Sequence, residues 1–328
     1  MEPILVEVAP GITAIDTFFD GRERYTAAYL VAAREPLLVE TGPTTSRDHV
    51  VAGLDRLGVG AGDLAHIAVT HIHLDHAGGV GAIAERYPGA TVHVHEAGAR
   101  HLADPGRLVA SATRIYGEAA MAHLFGPVPP VPNDRIRALR DDDRIDLGDR
   151  VLRILETPGH ANHQVALADA STGAVFTGDA LGIHPPDLPV LRPATPPPDY
   201  DLELALASIE RIRTAARSGP VLFAHYGPVA EVDRICELAS RRFRAWTERV
   251  RSVLDAGGDL DAVVAALDAE AAADRTTGAE APIDLARLES LSSVRMNALG
   301  ILRYWDLRRA REAQAREGAP GSPGATSA

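Results

Sequence analysis

With 328 residues and 46% hydrophobic content, the chain can form one large domain, a real core and a smaller appendage. Acids outnumber bases 45 to 33, for a net charge of −12, which argues against a nucleic-acid partner, because such partners demand clustered positive charge. All 33 bases are arginine, so lysine chemistry is excluded, and the single Cys236 excludes an intramolecular disulfide and a thiolate metal cluster.

No run of about 18 apolar residues marks a membrane span, and "MEPILVEVAP" lacks a basic leader region, so a soluble, cytoplasmic chain without a membrane partner is expected. Residues 3–8, 12–18, 25–32 and 36–41 read as successive strands, punctuated by Gly11, Asp20-Gly21 and Glu35-Pro36. Tyr29, in the third, is a candidate substrate contact. A helix is predicted over 46–57. The apolar run 65–70 then reads as a buried strand and leads into "HIHLDH", with His71, His73, Asp75 and His76 closed off by Gly78-Gly79. By strand alternation His71 and His73 project to one side, while Asp75 and His76 lie in the turn beyond and can face a second ion.

A helix to Arg86 and a strand over 90–95 follow. His93 and His95 on that strand are expected at the surface or behind ligands, not as ligands. Residues 97–134 read as an inserted helical flap, with Leu108, Ala112, Ile115 and Ala119 as an amphipathic stripe and Tyr116, His123 and Phe125 as candidate pocket residues. Strands near 150–156, 163–168 and 174–178 carry the second half. His160 follows the first of them and Pro158-Gly159, Asp179 follows "AVFTG", and His225 follows "PVLFA". Each polar residue stands just past an apolar run, where an α/β protein gathers its active site.

The loop 181–200 holds seven prolines and is expected to wall the site, with His184 as its candidate contact and Tyr226, beside His225, as another. From 230 the chain reads as helices over 230–257, 260–272 and 285–312, with Asp259 and Asp284 as N-caps. Cys236 is expected as a buried helix residue, and Trp246, Tyr304 and Trp305 as core anchors, an exposed aromatic face among them pointing to a homodimer. The division is thus a catalytic domain over 1–229, a helical region over 230–312 without site chemistry, and a disordered tail over 313–328.

The H-x-H-x-D-H run and the downstream Gly159-His160, Gly178-Asp179 and His225 resemble the metallo-β-lactamase superfamily over roughly residues 3–230. The resemblance implies an α/β fold, a four-layer αβ/βα sandwich. It also implies that His71, His73 and His160 hold one metal, that Asp75, His76 and His225 hold a second, and that Asp179 bridges them. Members often carry D-T-G where this chain has Glu40-Thr41-Gly42, so Glu40 is expected to support a ligand histidine. Five imidazoles and two carboxylates suit two divalent cations, zinc first, with iron or manganese also compatible.

The expected function is a dinuclear hydrolase in which a water or hydroxide held by the ions attacks a carbonyl, with Asp75 both ligating and orienting it. A mononuclear iron site of His71, His160 and Asp179, like that of persulfide dioxygenases, is the alternative from another reaction class. A structural-metal scaffold is disfavoured, because a closed zinc site needs only four ligands. Glutathione-thioester hydrolases typically add basic residues after the last histidine, and here only Arg234, Arg241 and Arg242 follow, spread along a helix. Lactone-cleaving members place a tyrosine where this chain has Gly182. A small or medium uncharged ester, thioester or lactone is therefore the expected small-molecule partner, in an apolar pocket made by the flap and proline loop. Hydroxyacylglutathione hydrolysis proper stands as the further alternative.

Overall fold

A computed structural model describes residues 2–186, 190–272 and 285–317. Strands β1 (Leu5–Ala9), β2 (Ile12–Asp16), β3 (Ala27–Val31) and β4 (Leu37–Val39) form an antiparallel meander. After helix α1 (Arg47–Arg56), β5 (His66–Ala68) pairs parallel with β4. Helices α2 (Leu74–Ala77) and α3 (Val80–Arg86) lead to the parallel β6 (Thr91–His95). Helices α4 (Glu96–Ala103), α5 (Gly106–Tyr116) and α6 (Glu118–Ala120), with a π-turn at Met121–Phe125, precede β7 (Ile136–Leu139), which completes a seven-stranded sheet in chain order. The second sheet runs β13-β12-β11-β10-β9-β8, from β8 (Arg144–Asp146), β9 (Val151–Glu156), β10 (Val165–Asp169), β11 (Val175–Gly178), β12 (Val221–Phe223) and β13 (Pro228–Val229). Helix α7 (Leu202–Ala215) is the crossover between the parallel β11 and β12.

Period-2 alternation assigns the layers. Ile12, Ala14, Tyr29, Val31, Leu37 and Val39 face the second sheet and meet Leu152, Ile154, Val165, Leu167, Phe176 and Leu222 in one core. Their neighbours Ile15, Ala28, Leu30 and Leu38 point the other way, against α1, α3 and α4. On the second sheet Leu155, Ala166, Val175, Val221 and Phe223 face outward onto α7 and onto the C-terminal helices α8 (Val232–Asp255), α9 (Leu260–Ala272) and α11 (Val294–Glu317). The result is the expected αβ/βα sandwich. Each fully buried Leu, Ile or Val adds about 1.5–3 kcal/mol of transfer free energy, so all three interfaces hold the sheets in place.

At one end the sheets are also joined by polar bonds. Val165 N donates to Thr70 O at 2.8 Å, and Ala27 N to Ala224 O at 2.9 Å. Tyr29 Oη donates to Phe223 O at 2.5 Å and accepts from Gly227 N at 3.2 Å. Helix α11 also grips the proline loop: Thr195 N donates to Asn297 Oδ1 at 2.6 Å, and a Cβ on Gly300 would stand 1.9 Å from Thr195 O.

Some elements differ from the sequence expectation. Asp75 and His76 sit on the short helix α2 rather than in a turn. The helix expected over 285–312 is two, α10 (Leu285–Leu291) and α11, broken where the Glu289 carboxylate accepts from Val294 N at 3.0 Å. Residues 313–317 of the expected tail continue α11; 318–328 and the expected cap Asp284 lie outside the described residues. Asp259 does cap α9, accepting from Ala262 N at 3.0 Å. Cys236 is buried in α8, as are Trp246 and Tyr304 in their helices, while Trp305 is half-buried and donates to Thr247 O at 3.0 Å. Among the described residues no helix is long and apolar enough to cross a membrane.

Because no side chain fits between Gly300 and Thr195, Gly300→Ala should push α11 off the proline loop. We expect a loss of about 1–3 kcal/mol, the usual cost of overpacking, read as a lower urea midpoint. A midpoint equal to that of the parent would mean that the helix does not press on the loop.

Candidate metal centre

The seven expected donors reach one place from four segments: the stretch after β5, the β9–β10 loop, and the residues that follow β11 and β12. His71, His73 and His160 form one group, Asp75, His76 and His225 another, and His71, His76 and Asp179 a third, with the donor atoms of each group within 4.8 Å of one another. In the first, His73 Nδ1 lies 3.0 Å from His71 Nε2 and 2.9 Å from His160 Nε2. In the second, Asp75 Oδ2 lies 3.3 Å from His76 Nε2 and 3.4 Å from His225 Nε2. Asp179 stands between them. Its Oδ1 is 3.6 Å from His76 Nε2 and 3.7 Å from His225 Nε2, and its Oδ2 is 3.6 Å from His160 Nε2.

Hydrogen bonds behind the rings decide which nitrogen faces inward. His160 Nδ1 donates to Ala194 O at 3.0 Å and His225 Nδ1 to Tyr25 O at 3.2 Å, leaving each Nε2 as an inward lone pair. His71 Nδ1 lies 3.0 Å from Thr70 Oγ1, which donates to Glu40 Oε1 at 2.5 Å. Glu40 therefore supports His71 through Thr70, its own backbone held at φ 64°. Gly178 makes room for this relay, since a Cβ there would meet Thr70 Oγ1 at 2.5 Å.

The electrostatics divide the site. Burial, then neighbouring imidazoles, holds His71 and His73 well below the ordinary histidine range, and burial also lowers His160. Burial opposes charge on His76 too, but Asp75 and Asp179 outweigh it and lift His76 well above that range. Burial would raise Asp75 and Asp179; His76 and His225 overcome it and hold both carboxyls low. Buried His76 Nε2 and Asp179 Oδ1 have no hydrogen-bond partner among the described residues. Neutral lone pairs on His71, His73 and His160 beside ionised carboxylates, with such orphaned atoms, fit a divalent cation's donor shell.

A cavity of about 670 Å³ opens over these donors. The flap gives Arg100, His101, Arg107, Leu108, Ile115, Tyr116 and Phe125; the proline loop gives Ala194 and Pro196 to Pro198. Tyr116 is thus at the cavity. The other three proposed contacts are elsewhere. Tyr29 is buried in the core and ties the sheets together through Phe223 and Gly227. Tyr226, at φ 81°, turns its ring into the same core. His184 donates to Val190 O at 2.5 Å and packs against Phe223. His123 turns outward to Asp20 at 3.0 Å. His93 and His95 are buried, on His66 and Glu156, away from the donors.

The sequence reading missed His163, which lines the cavity and stacks on His71 with ring centres 6.2 Å apart. "TPGHANH" carries it three residues after His160, and that spacing was the available signal. It also missed the wall built by residues 289–293, 296 and 297, to which it assigned no site role.

The profile of the metallo-β-lactamase superfamily matches residues 21–217, more than half of the chain. The chain belongs to the metallo-β-lactamase superfamily. Among relatives of this superfamily member, a metallo-β-lactamase fold-containing protein, ST1585 of Sulfurisphaera tokodaii, is 29% identical over 51% of this chain and 62% of its own. The acyl-coenzyme A thioesterase MBLAC2 of Gallus gallus is 35% identical over 40% and 47%. A hydroxyacylglutathione hydrolase of Cereibacter sphaeroides is 31% identical over 36% and 34%. The chain thus matches between about a third and three fifths of each of these relatives. The solved structure of ST1585 superposes with a TM-score of 0.60 at 25% identity, covering 71% of this chain and 85% of that one. A metallo-β-lactamase family protein from Thermus thermophilus shares the fold over 98% and 96%, with a TM-score of 0.60 at 22% identity.

Burial, with His160, His95 and His101 adding to it, lowers His163 to about 3. Below about 6.5, the ordinary histidine value, the unfolded chain therefore takes up a proton that the folded chain refuses, so stability falls with pH through this window. Between pH 7 and pH 5, with chelator present, wild type should lose about 1–2 kcal/mol more than His163→Gln, measured by urea unfolding. Equal losses would show that His163 is not held neutral.

Proposed function

We propose that the chain is a dinuclear metal-dependent hydrolase that cleaves an ester, thioester or lactone. The observation that carries this reading is the placement of Asp179, with one carboxylate oxygen toward His76 and His225 and the other toward His160. In this reading His71, His73 and His160 hold one ion and Asp75, His76 and His225 the other, zinc being favoured and iron or manganese compatible with the same nitrogen and oxygen donors. The ions, when bound, would lower the pKa of a water and polarise the acyl carbonyl. Asp75 is the more open of the two carboxylates, its side chain 24% exposed against 5% for Asp179, so it is the one to orient the attacking water and take its proton. The acyl C–S or C–O bond breaks; water supplies hydroxyl to the acid and a proton to the leaving thiol or alcohol.

The names of two relatives, an acyl-coenzyme A thioesterase and a hydroxyacylglutathione hydrolase, favour acyl groups carried on a thiol. Metal-loaded protein should bind two ions per chain and hydrolyse thioesters in a panel with acyl-homoserine lactones, a β-lactam and aryl esters. One iron per chain with oxygen consumption would replace this reading with the dioxygenase.

Because Asp179 touches both groups, Asp179→Ala should lose more metal than His73→Ala or His225→Ala. Elemental analysis of folded variants tests this, and equal losses in all three would remove Asp179 from the bridge.

A further inference from the structure

The cavity's outer wall has a charge that the metal centre does not use. Arg100, on α4, and Arg107 and Arg114, on α5, all line it and are all exposed. Arg107 and Arg114 are seven residues apart on one helix, two turns, so both stand on the same face, roughly 10 Å from one another along the axis. In a chain with twelve more acids than bases, arginines are commonly taken up by carboxylates, as Arg140 is by Glu96, Arg211 by Asp141 and Arg249 by Glu270. Among the described residues none of these three has a carboxylate partner; Arg100 Nε donates to neutral-capable His101 Nε2 at 3.2 Å.

Three acids around the cavity and the flap already accept hydrogen bonds. Asp104 Oδ1 accepts from Gly106 N at 3.1 Å, and Asp199 Oδ2 from Asn162 N at 3.3 Å. Glu289 accepts from Val294 N and Arg192. Guanidinium is the side-chain group best matched to phosphate and carboxylate oxygens. Spread over roughly 10 Å, three of them fit an extended anion better than one compact charge. The sequence pointed to an uncharged substrate because no basic cluster follows His225; the cationic wall stands on the flap instead.

We propose that Arg100, Arg107 and Arg114 hold a polyanionic tail on the leaving group, so that the substrate is an acyl ester of a thiol bearing several phosphates or carboxylates. This rests on the hydrolase reading, and the test separates the two. Calorimetric binding of three free thiols at low salt supplies one arm: coenzyme A with its phosphates, glutathione with its carboxylates, and the neutral N-acetylcysteamine. The acetyl thioesters of the same thiols supply kcat/KM in the other.

At least one polyanionic thiol should bind tenfold or more tighter than N-acetylcysteamine, weaken with added salt, and lose that advantage in R107Q/R114Q and, in part, in R100Q. Arg56→Gln, on α1 away from the cavity, should leave it intact. Preference for coenzyme A assigns phosphates; preference for glutathione assigns carboxylates. Equal binding of the three thiols, no measurable binding of either polyanion, or an advantage untouched in folded arginine variants overturns the proposal, even if every thioester is hydrolysed. Arginine-dependent binding without hydrolysis of any thioester would instead overturn the hydrolase reading and leave the cradle standing.

Discussion

The hydrogen bonds that cross between the two sheets hold together the strand ends from which the donors of the centre project. A sandwich held only by side-chain packing can shear, because dispersion and apolar burial have little directional preference. Here Val165–Thr70 and Ala27–Ala224 tie backbone to backbone directly beside His71 and His225. Tyr29 adds a third tie by bonding both Phe223 O and Gly227 N, on either side of His225. Donors carried from opposite sheets thus approach within 2.9 Å, as His73 and His160 do.

Within that frame His160 and His225 are oriented by neutral carbonyl acceptors, whereas His71 draws on a carboxylate at one remove. The Glu40 carboxyl is buried, and burial raises it despite the opposing His76 charge and the Thr70 bonds. Thr70 stands between it and the ring, and Gly178 leaves the space for Thr70. A glutamate one methylene longer than aspartate thus reaches the threonine rather than the histidine.

Much of this was legible in the sequence because strand ends and donor residues coincide. Apolar runs before His71, Asp179 and His225 mark buried strands, and the strand alternation of residues such as Ile12, Ile15, Leu38 and Val39 already encodes two faces. The first sheet's last strand, β7, and the second's first, β8, escaped notice because "IRAL" and "RID" are short and carry exposed arginine. Helix α7 was also passed over, although Asp201 caps it and Ala205, Ile209 and Ile212 recur at helical spacing. The aromatic contacts were illegible for a different reason. Tyr226 adjoins His225 along the chain, but a positive φ turns its ring into the core, and strand alternation does the same for Tyr29. Which face of the flap looks inward, and hence the role of its arginines, depends on packing between distant segments that no local pattern encodes.

The carbonyl that fixes His160 belongs to Ala194, and the next residue, Thr195, is held by Asn297, 102 positions downstream. The centre is therefore non-local in the order of synthesis as well as in space. A nascent chain that has emerged as far as His225 already contains all seven donors and every strand but β13. Its His160 ring still lacks the anchor behind its acceptor until α11 has docked. Docking of the last helix thus completes the support behind a donor that lies far upstream of it.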